Sequence, residues 1–315
     1  MSTHPAPAPA PEARPLAEPD PHIAFRDTPL GRNVVAFVSS PVALVASVVF
    51  LTIVVMAVLA PWIALQDPYD LTAIDIMDAR LAPGAEGWAG TWYPLGTDRQ
   101  GRDMYSAILH GLRTSLIVAS TSGVIALAIG ITVGLSAAYF GGRLESLLMR
   151  IVDVQLSFPA ILIALVMLAV LGRGIDKVIA ALVFVQWAYY ARTVRGAAMS
   201  ELSKEYMEAA RCLALSTRVI LFSHLLPNAL PPVIVVATMQ IASAIAIEAT
   251  LSFLGLGLPV TEPSLGLLIS NGFDVMMSGY YWISIFPGLA LLVTVMSVNL
   301  MGDRLRDILN PRHRR

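Results

Sequence analysis

Two carboxylates fall inside long apolar stretches of this 315-residue sequence, Asp153 and Glu248, and they are the first candidates for chemistry. A carboxylate at membrane depth costs about 2.5–3.5 kcal/mol on insertion scales, so it normally faces a bundle interior or a water path. Glu248 shares a helical face with Gln240 and Ala244 at four-residue steps. This stripe is expected either to line a translocation path or to bond a neighbouring helix. Asp153 lies about a turn from a boundary and is expected to pair with Arg150 at three-residue spacing. Covalent chemistry has little to work with. His4, His22, His110, His224 and His313 lie far apart without metal-ligand spacing, and none sits in an apolar stretch. The single cysteine, Cys212, rules out an internal disulfide and a cysteine metal cluster. A phosphate-binding loop needs glycine before its lysine, yet Lys177 follows Asp176 and Lys204 follows Ser203. Any nucleotide must therefore be bound by another chain. A membrane-embedded hydrolase lacks its nucleophile–base pair or metal ligands. A secondary transporter would need an ion or proton relay across several spans, which two carboxylates do not supply.

The elements that must position these residues are membrane helices. Hydrophobic residues make up 56% of the chain and charged ones 14%, against about 25% charged in a soluble domain. With a mean hydropathy of +0.70, lipid is the expected solvent. A net charge of −1 gives no basic surplus and excludes a nucleic-acid partner. A helix crosses the hydrocarbon in about 20 apolar residues. About six stretches qualify or nearly do: 42–63, 116–140, 151–171, 178–190, 231–256 and 281–301. Lys and Arg in the connections set the orientation. With the N-terminus inside, fifteen of the 21 basic residues fall inside, among them Arg143, Arg150, Arg192, Arg195, Lys204, Arg211 and Arg218. Arg80, Arg99, Arg102, Arg113, Arg173 and Lys177 fall outside, and connection 258–280 carries none. Both termini are expected in the cytoplasm.

The connection 191–230 is long for a hairpin. Met199, Leu202, Tyr206, Ala209, Ala210 and Leu213 recur every three or four residues, which predicts an amphipathic helical element on the cytoplasmic side. Pro227 and Asn228 are expected to end it. In the second span, Ser122, Ala126, Gly130, Gly134 and Ala138 form a small-residue stripe suited to close helix approach, within the subunit or against a partner. Arg102 and Asp103 are expected to serve as an ion pair or a cap at a helix start. Residues 1–21 have no apolar h-region, and their Pro-rich composition predicts an extended, solvated segment.

Glu208-Ala209-Ala210, then Ala214, then Leu226-Pro227 resemble the EAA loop of ATP-binding-cassette (ABC) importer permeases. That loop reads Glu-Ala-Ala, three residues, Gly, nine residues, Ile, one residue, Leu-Pro. Here Ala214 replaces the Gly and His224 the Ile. Alanine at the corner implies a less strained turn or a shifted bend. Leu95-Gly96-Thr97-Asp98 with Gly101-Arg102-Asp103, and Leu251 through Gly257, also match family signatures. So do Phe286-Pro287-Gly288 and Asn299 through Asp303 with Leu305-Arg306-Asp307. In this order they resemble the dipeptide/oligopeptide/nickel permease family, specifically its second, C-type subunit, over about residues 92–312.

That resemblance implies an all-α integral membrane protein with six transmembrane helices and the type I ABC importer permease fold. It implies a second homologous permease, two ATP-binding subunits that hold ATP and Mg, and an extracytoplasmic substrate-binding protein, all in the bacterial cytoplasmic membrane. This chain would have no cofactor and no catalytic residue. Glu208, Ala209, Ala210, Ala214, Leu226 and Pro227 would couple to the ATPases. Cargo would be peptides, with nickel or glutathione-like cargo as alternatives. Residues 1–36 are expected to be a disordered cytoplasmic tail, and 37–110 the first helix and an external loop. Residues 111–315 would form the transmembrane domain, with its coupling loop at 196–228.

Overall fold

A computed structural model of the chain describes residues 29–69 and 74–309. The tail expected through residue 36 ends sooner. Residues 29–36 belong to helix α1 (Pro29–Val38), opened by a proline whose missing N–H has no helical partner to lose there. Arg304 holds this helix by donating Nη2 to the Ala36 carbonyl at 2.7 Å. The rest of the expected tail, residues 1–28, lies outside the described residues.

α2 (Pro41–Ile63) is capped by Ser40, and α3 (Met104–Phe140) by Asp103. Between them the connecting segment carries a 3-10 turn at Ile76–Asp78 and a small antiparallel hairpin, β1 (Ala85–Glu86) with β2 (Trp92–Tyr93). α4 (Gly142–Leu156) and α5 (Ala160–Leu171) follow, then α6 (Ile175–Leu202) and α7 (Glu205–Cys212). A continuous helix covers residues 217–253: α8 (Thr217–Val219), a π segment (Ile220–Leu225) and α9 (Leu226–Phe253). α10 (Leu265–Met276) and α11 (Trp282–Leu309) complete the chain.

Among the described residues, α2, α3, the 217–253 helix and α11 are long and apolar enough to cross a membrane. The expected third span, 151–171, is corrected: α4 and α5 meet at 87° and make a fifth span only if taken together. Pro159 causes the break, because it lacks an N–H and biases Phe158 away from helical backbone. The expected fourth span lies within α6, whose 28 residues include Gln186, Arg192, Arg195 and Glu201. Those polar groups keep α6 from qualifying by composition.

α3 is the spine. Its small-residue stripe packs against α6 inside the same subunit. A Cβ on Gly134 would lie 2.6 Å from the Ala191 carbonyl oxygen, and one on Gly130 would land on the Tyr190 side chain. The central core gathers Val118 of α3, Leu168 of α5, Leu182 of α6 and Ile245 of α9, all buried. Outside this core, α2 presents Val45, Val48 and Leu51 largely exposed, as lipid-facing surface requires.

Candidate functional site: a projecting helix and two polar locks

The amphipathic helical element expected in the 191–230 connection is divided between α6 and α7. Backbone at Ser203 and Lys204 breaks it, and the break changes which residues face inward. Met207 and Ala210 are buried, together with Ala198 of α6, whereas Met199 and Leu213 are exposed. Met207 and Ala198 join a cluster with Tyr190 and Val194 of α6, Leu135 of α3, Ile220 and Leu225 of the π segment, and Val233 of α9. α7 is thereby packed against three long helices at once.

Glu208 and Ala209 are exposed, and so are Arg211, Cys212 and Leu213, the last at 73%. α7 thus offers a free face of mixed charge and apolar surface while its other face is anchored. Ala214 is exposed, Leu226 half-buried and Pro227 exposed.

α7 ends in a Schellman turn. Leu215 N–H donates to the Ala210 carbonyl at 3.3 Å and Ala214 N–H to the Arg211 carbonyl at 2.9 Å. Ala214 has φ +51°. The expectation of a relaxed or shifted corner is therefore overturned. Alanine adopts the left-handed backbone that glycine would take, at a cost of about 1–2 kcal/mol. Leu215 packs into the cluster beneath and holds the turn closed.

Pro227 and Asn228 do not end the element. The helix passes through them, because the preceding π segment already widens the backbone. Leu226 N–H reaches the Leu221 carbonyl, and the Asn228 side chain donates to the His224 carbonyl at 2.7 Å. Sequence reasoning used Tyr206 only as an apolar position. Its hydroxyl donates to Glu201 at 2.8 Å, and a further side-chain bond joins it to Asn228, tying α7 to α6 and α9. Burial, then Glu201, pushes this hydroxyl up to about 12. An aromatic with a polar tip five residues beyond a carboxylate was the available signal.

The candidate path stripe lies mostly inside the subunit. Glu248 is 0% exposed, Ala244 is buried and Gln240 is half-buried. Glu248 accepts from Ser115 Oγ of α3 at 2.7 Å and from Ser252 Oγ at 2.9 Å. The expected bond to a neighbouring helix is present. Asp153 pairs with Arg192 of α6 rather than with Arg150, because the bend at Pro159 lays α4 beside α6.

The second lock lies in the connection between α2 and α3. Asp98 Oδ2 accepts from Arg102 Nε at 2.7 Å, and Asp98 Oδ1 from the N–H groups of Gln100 and Arg102. Both side chains are essentially unexposed. Asp103 caps α3 through Tyr105 and Ser106, as expected, whereas Arg102 pairs with Asp98 rather than with Asp103. Trp282 Nε1 donates to the Thr97 carbonyl at 3.3 Å and fastens α11 to the same loop. Tyr93 donates to Asp78 at 2.9 Å, and its hydroxyl is pushed up to about 12, first by burial and then by Asp78.

These features define a multi-pass helical membrane protein with the type I ABC importer permease fold. The arrangement is similar to the solved structure described as "Inward facing conformations of the MetNI methionine ABC transporter: CY5 native crystal form". The TM-score is 0.54 at 23% identity, covering 65% of this chain and 97% of that chain. Residues 130–315 match the family described as "Binding-protein-dependent transport system inner membrane component", and the chain belongs to it. Residues 28–83 match the "N-terminal TM domain of oligopeptide transport permease C". Among curated relatives, the chain is 37% identical to the "Di/tripeptide transport system permease protein DppC" of Pseudomonas aeruginosa (strain UCBPP-PA14), over 93% of this chain and 95% of that protein. It is 34% identical to the "Probable D,D-dipeptide transport system permease protein DdpC" of Escherichia coli (strain K12), over 87% and 88%. It is 32% identical to the "Oligopeptide transport system permease protein OppC" of Bacillus subtilis (strain 168), over 89% and 88%.

Proposed function

We propose that this chain is one of a pair of permease subunits that carry di- and oligopeptides across the bacterial cytoplasmic membrane. The observation that carries this reading is full-length kinship with permeases named for di/tripeptide and oligopeptide transport, at 32–37% identity. The free face of α7 is the docking element for two separate ATPase subunits, which hold ATP and Mg. A substrate-binding protein delivers cargo from outside. ATP binding draws the ATPases together, α7 moves with them, and the cluster beneath it passes the displacement to α3, α6 and α9. The cavity between the two permeases then turns outward. No bond is made or broken on this chain.

The test is uptake by the assembled transporter in proteoliposomes supplied with its binding protein. Radiolabelled dipeptide should accumulate only with ATP on the ATPase side, and vanadate should abolish it. Accumulation driven by an ion gradient without ATP would overturn the reading. So would competition by nickel or glutathione but not by peptides. The positive-charge bias also assigns both termini to the cytoplasm. Reporter fusions after Pro263 and after Arg312 should report opposite compartments, and the same compartment for both would reject that orientation.

A further inference from the structure

An amphipathic recess joins α2 to α3 near their external ends. Its polar part is a cavity of about 260 Å³, with Asp67 and Tyr69 on one side and His110 and Arg113 of α3 on the other. Its apolar part is a groove of about 700 Å³ that runs along α2 past Phe50, Val54, Val58 and Trp62, with Ile117 of α3 behind. Arg113 lines both and makes them one recess.

The polar end is unsatisfied. Arg113 is half-buried, and no hydrogen bond or ion pair engages it among the described residues. His110 is 4% exposed, and its Nδ1 has no partner among those residues. The His110 ring stands edge-on to Tyr69 at 5.2 Å between centroids. Asp67 takes the Tyr69 N–H, at 2.9 Å, and brings the opposite charge into the same cavity. A buried polar atom without a partner loses free energy unless a ligand or water meets it. The apolar end is long. From Phe50 to Trp62 the helix rises about 18 Å at 1.5 Å per residue. A dipeptide extended spans only about 7 Å. Trp62, 75% exposed, stands where an indole marks the membrane–water boundary.

We propose that this recess is a phospholipid site for a phosphate–ammonium headgroup of the phosphatidylethanolamine class. The phosphate sits on Arg113, with His110 Nδ1 as a further hydrogen-bonding group. The ammonium sits beside Asp67. One acyl chain lies in the groove along α2. The length of the recess and its apolar lining select a lipid over a dipeptide zwitterion with the same two charges. The site rests on α2 and α3 spanning the bilayer and is independent of the transported cargo.

The test uses the full-length chain assembled with its partner subunits, in vesicles of phosphatidylcholine and phosphatidylglycerol doped with phosphatidylethanolamine bearing a diazirine on one acyl chain. Photolabel should concentrate on residues 50–62 and 113–121. Arg113→Ala should lower that labelling about fivefold, the worth of one cation at an anionic headgroup. Ile117→Trp should lower it from the apolar side by filling the groove. The lipid-exposed residues Val293 and Met296 of α11 supply an internal standard. Their labelling should stay unchanged in both variants and reports a folded, inserted protein. Labelling of the recess that is insensitive to Arg113 and Ile117 would overturn the proposal. Displacement by excess dipeptide would assign the recess to cargo instead. Loss of label on assembly with the second permease would make it a subunit interface. Equal labelling by diazirine-phosphatidylcholine would remove the ammonium's place beside Asp67.

Discussion

Glu248 of α9 and Ser115 of α3 meet at 2.7 Å with almost no exposed surface, although 133 residues separate them. With Ser252 one turn further along α9, they lock two long helices together. Replacing Glu248 with Leu strips two buried hydroxyls of their acceptor, at a cost of about 1–3 kcal/mol. Glu248→Gln keeps an acceptor and should stay close to wild type. Thermal unfolding of the detergent-solubilised protein should rank wild type, Gln and Leu in that order. Equal melting of all three with lost uptake in the Leu variant would return Glu248 to a path-lining role.

The Asp98–Arg102 lock should fail more severely. Arg102→Ala leaves the Asp98 carboxylate buried without its cation, which costs about 3–5 kcal/mol in comparable buried pairs. The expected outcome is low yield and early proteolysis within residues 74–103. Arg99→Ala is the control, since its pair with Asp274 is exposed and contributes under about 1 kcal/mol. Similar yields from both variants would remove the energetic role given to the buried pair.

Ala214→Gly should stabilise α7. Glycine reaches φ +51° without the Cβ clash, so the corner should gain about 1 kcal/mol. Amide exchange over residues 205–215 should slow. Ala214→Val, with a branched Cβ at positive φ, should speed exchange and lower peptide-stimulated ATP hydrolysis. Unchanged exchange in both variants would mean that the turn is not in the left-handed region.

Gly130→Ala places a methyl group on the Tyr190 side chain, at the tightest contact between α3 and α6. Overpacking of this kind costs about 1–3 kcal/mol. Gly196→Ala, which meets open space, is the matched control. Melting temperatures should fall for the first and hold for the second.

Cys212 is exposed and lies four residues beyond Glu208 on the same face of α7. An impermeant maleimide should label Cys212 in inside-out vesicles lacking the ATPases, and adding the ATPases should protect it. Glu208→Lys should abolish peptide-stimulated ATP hydrolysis with insertion intact, because the residue lies outside the lipid. Full transport by Glu208→Lys would make α7 a solvated surface helix and remove the coupling role.

The sequence by itself determined the class of molecule and the order of its parts. Apolar stretches of bilayer length, the distribution of arginines and the ordered motifs are local properties, readable one segment at a time. α2 matches its expected span almost residue for residue, because a uniformly apolar helix capped by Ser40 with Pro41 at its start has no competing structure. The tertiary structure decided what each polar group inside the apolar segments meets. Asp153 found Arg192 rather than Arg150, since the break at Pro159 reoriented α4. Glu248 turned to Ser115, a partner that no periodicity within α9 can name. The stripe at Gly130 and Gly134 was assigned to α6 by the backbone positions of Tyr190 and Ala191. Ala214 kept a glycine backbone because the Schellman bonds and the burial of Leu215 outweigh the strain of one Cβ. In each case the deciding energy lies between segments far apart in the chain, where spacing along the sequence carries no information about distance.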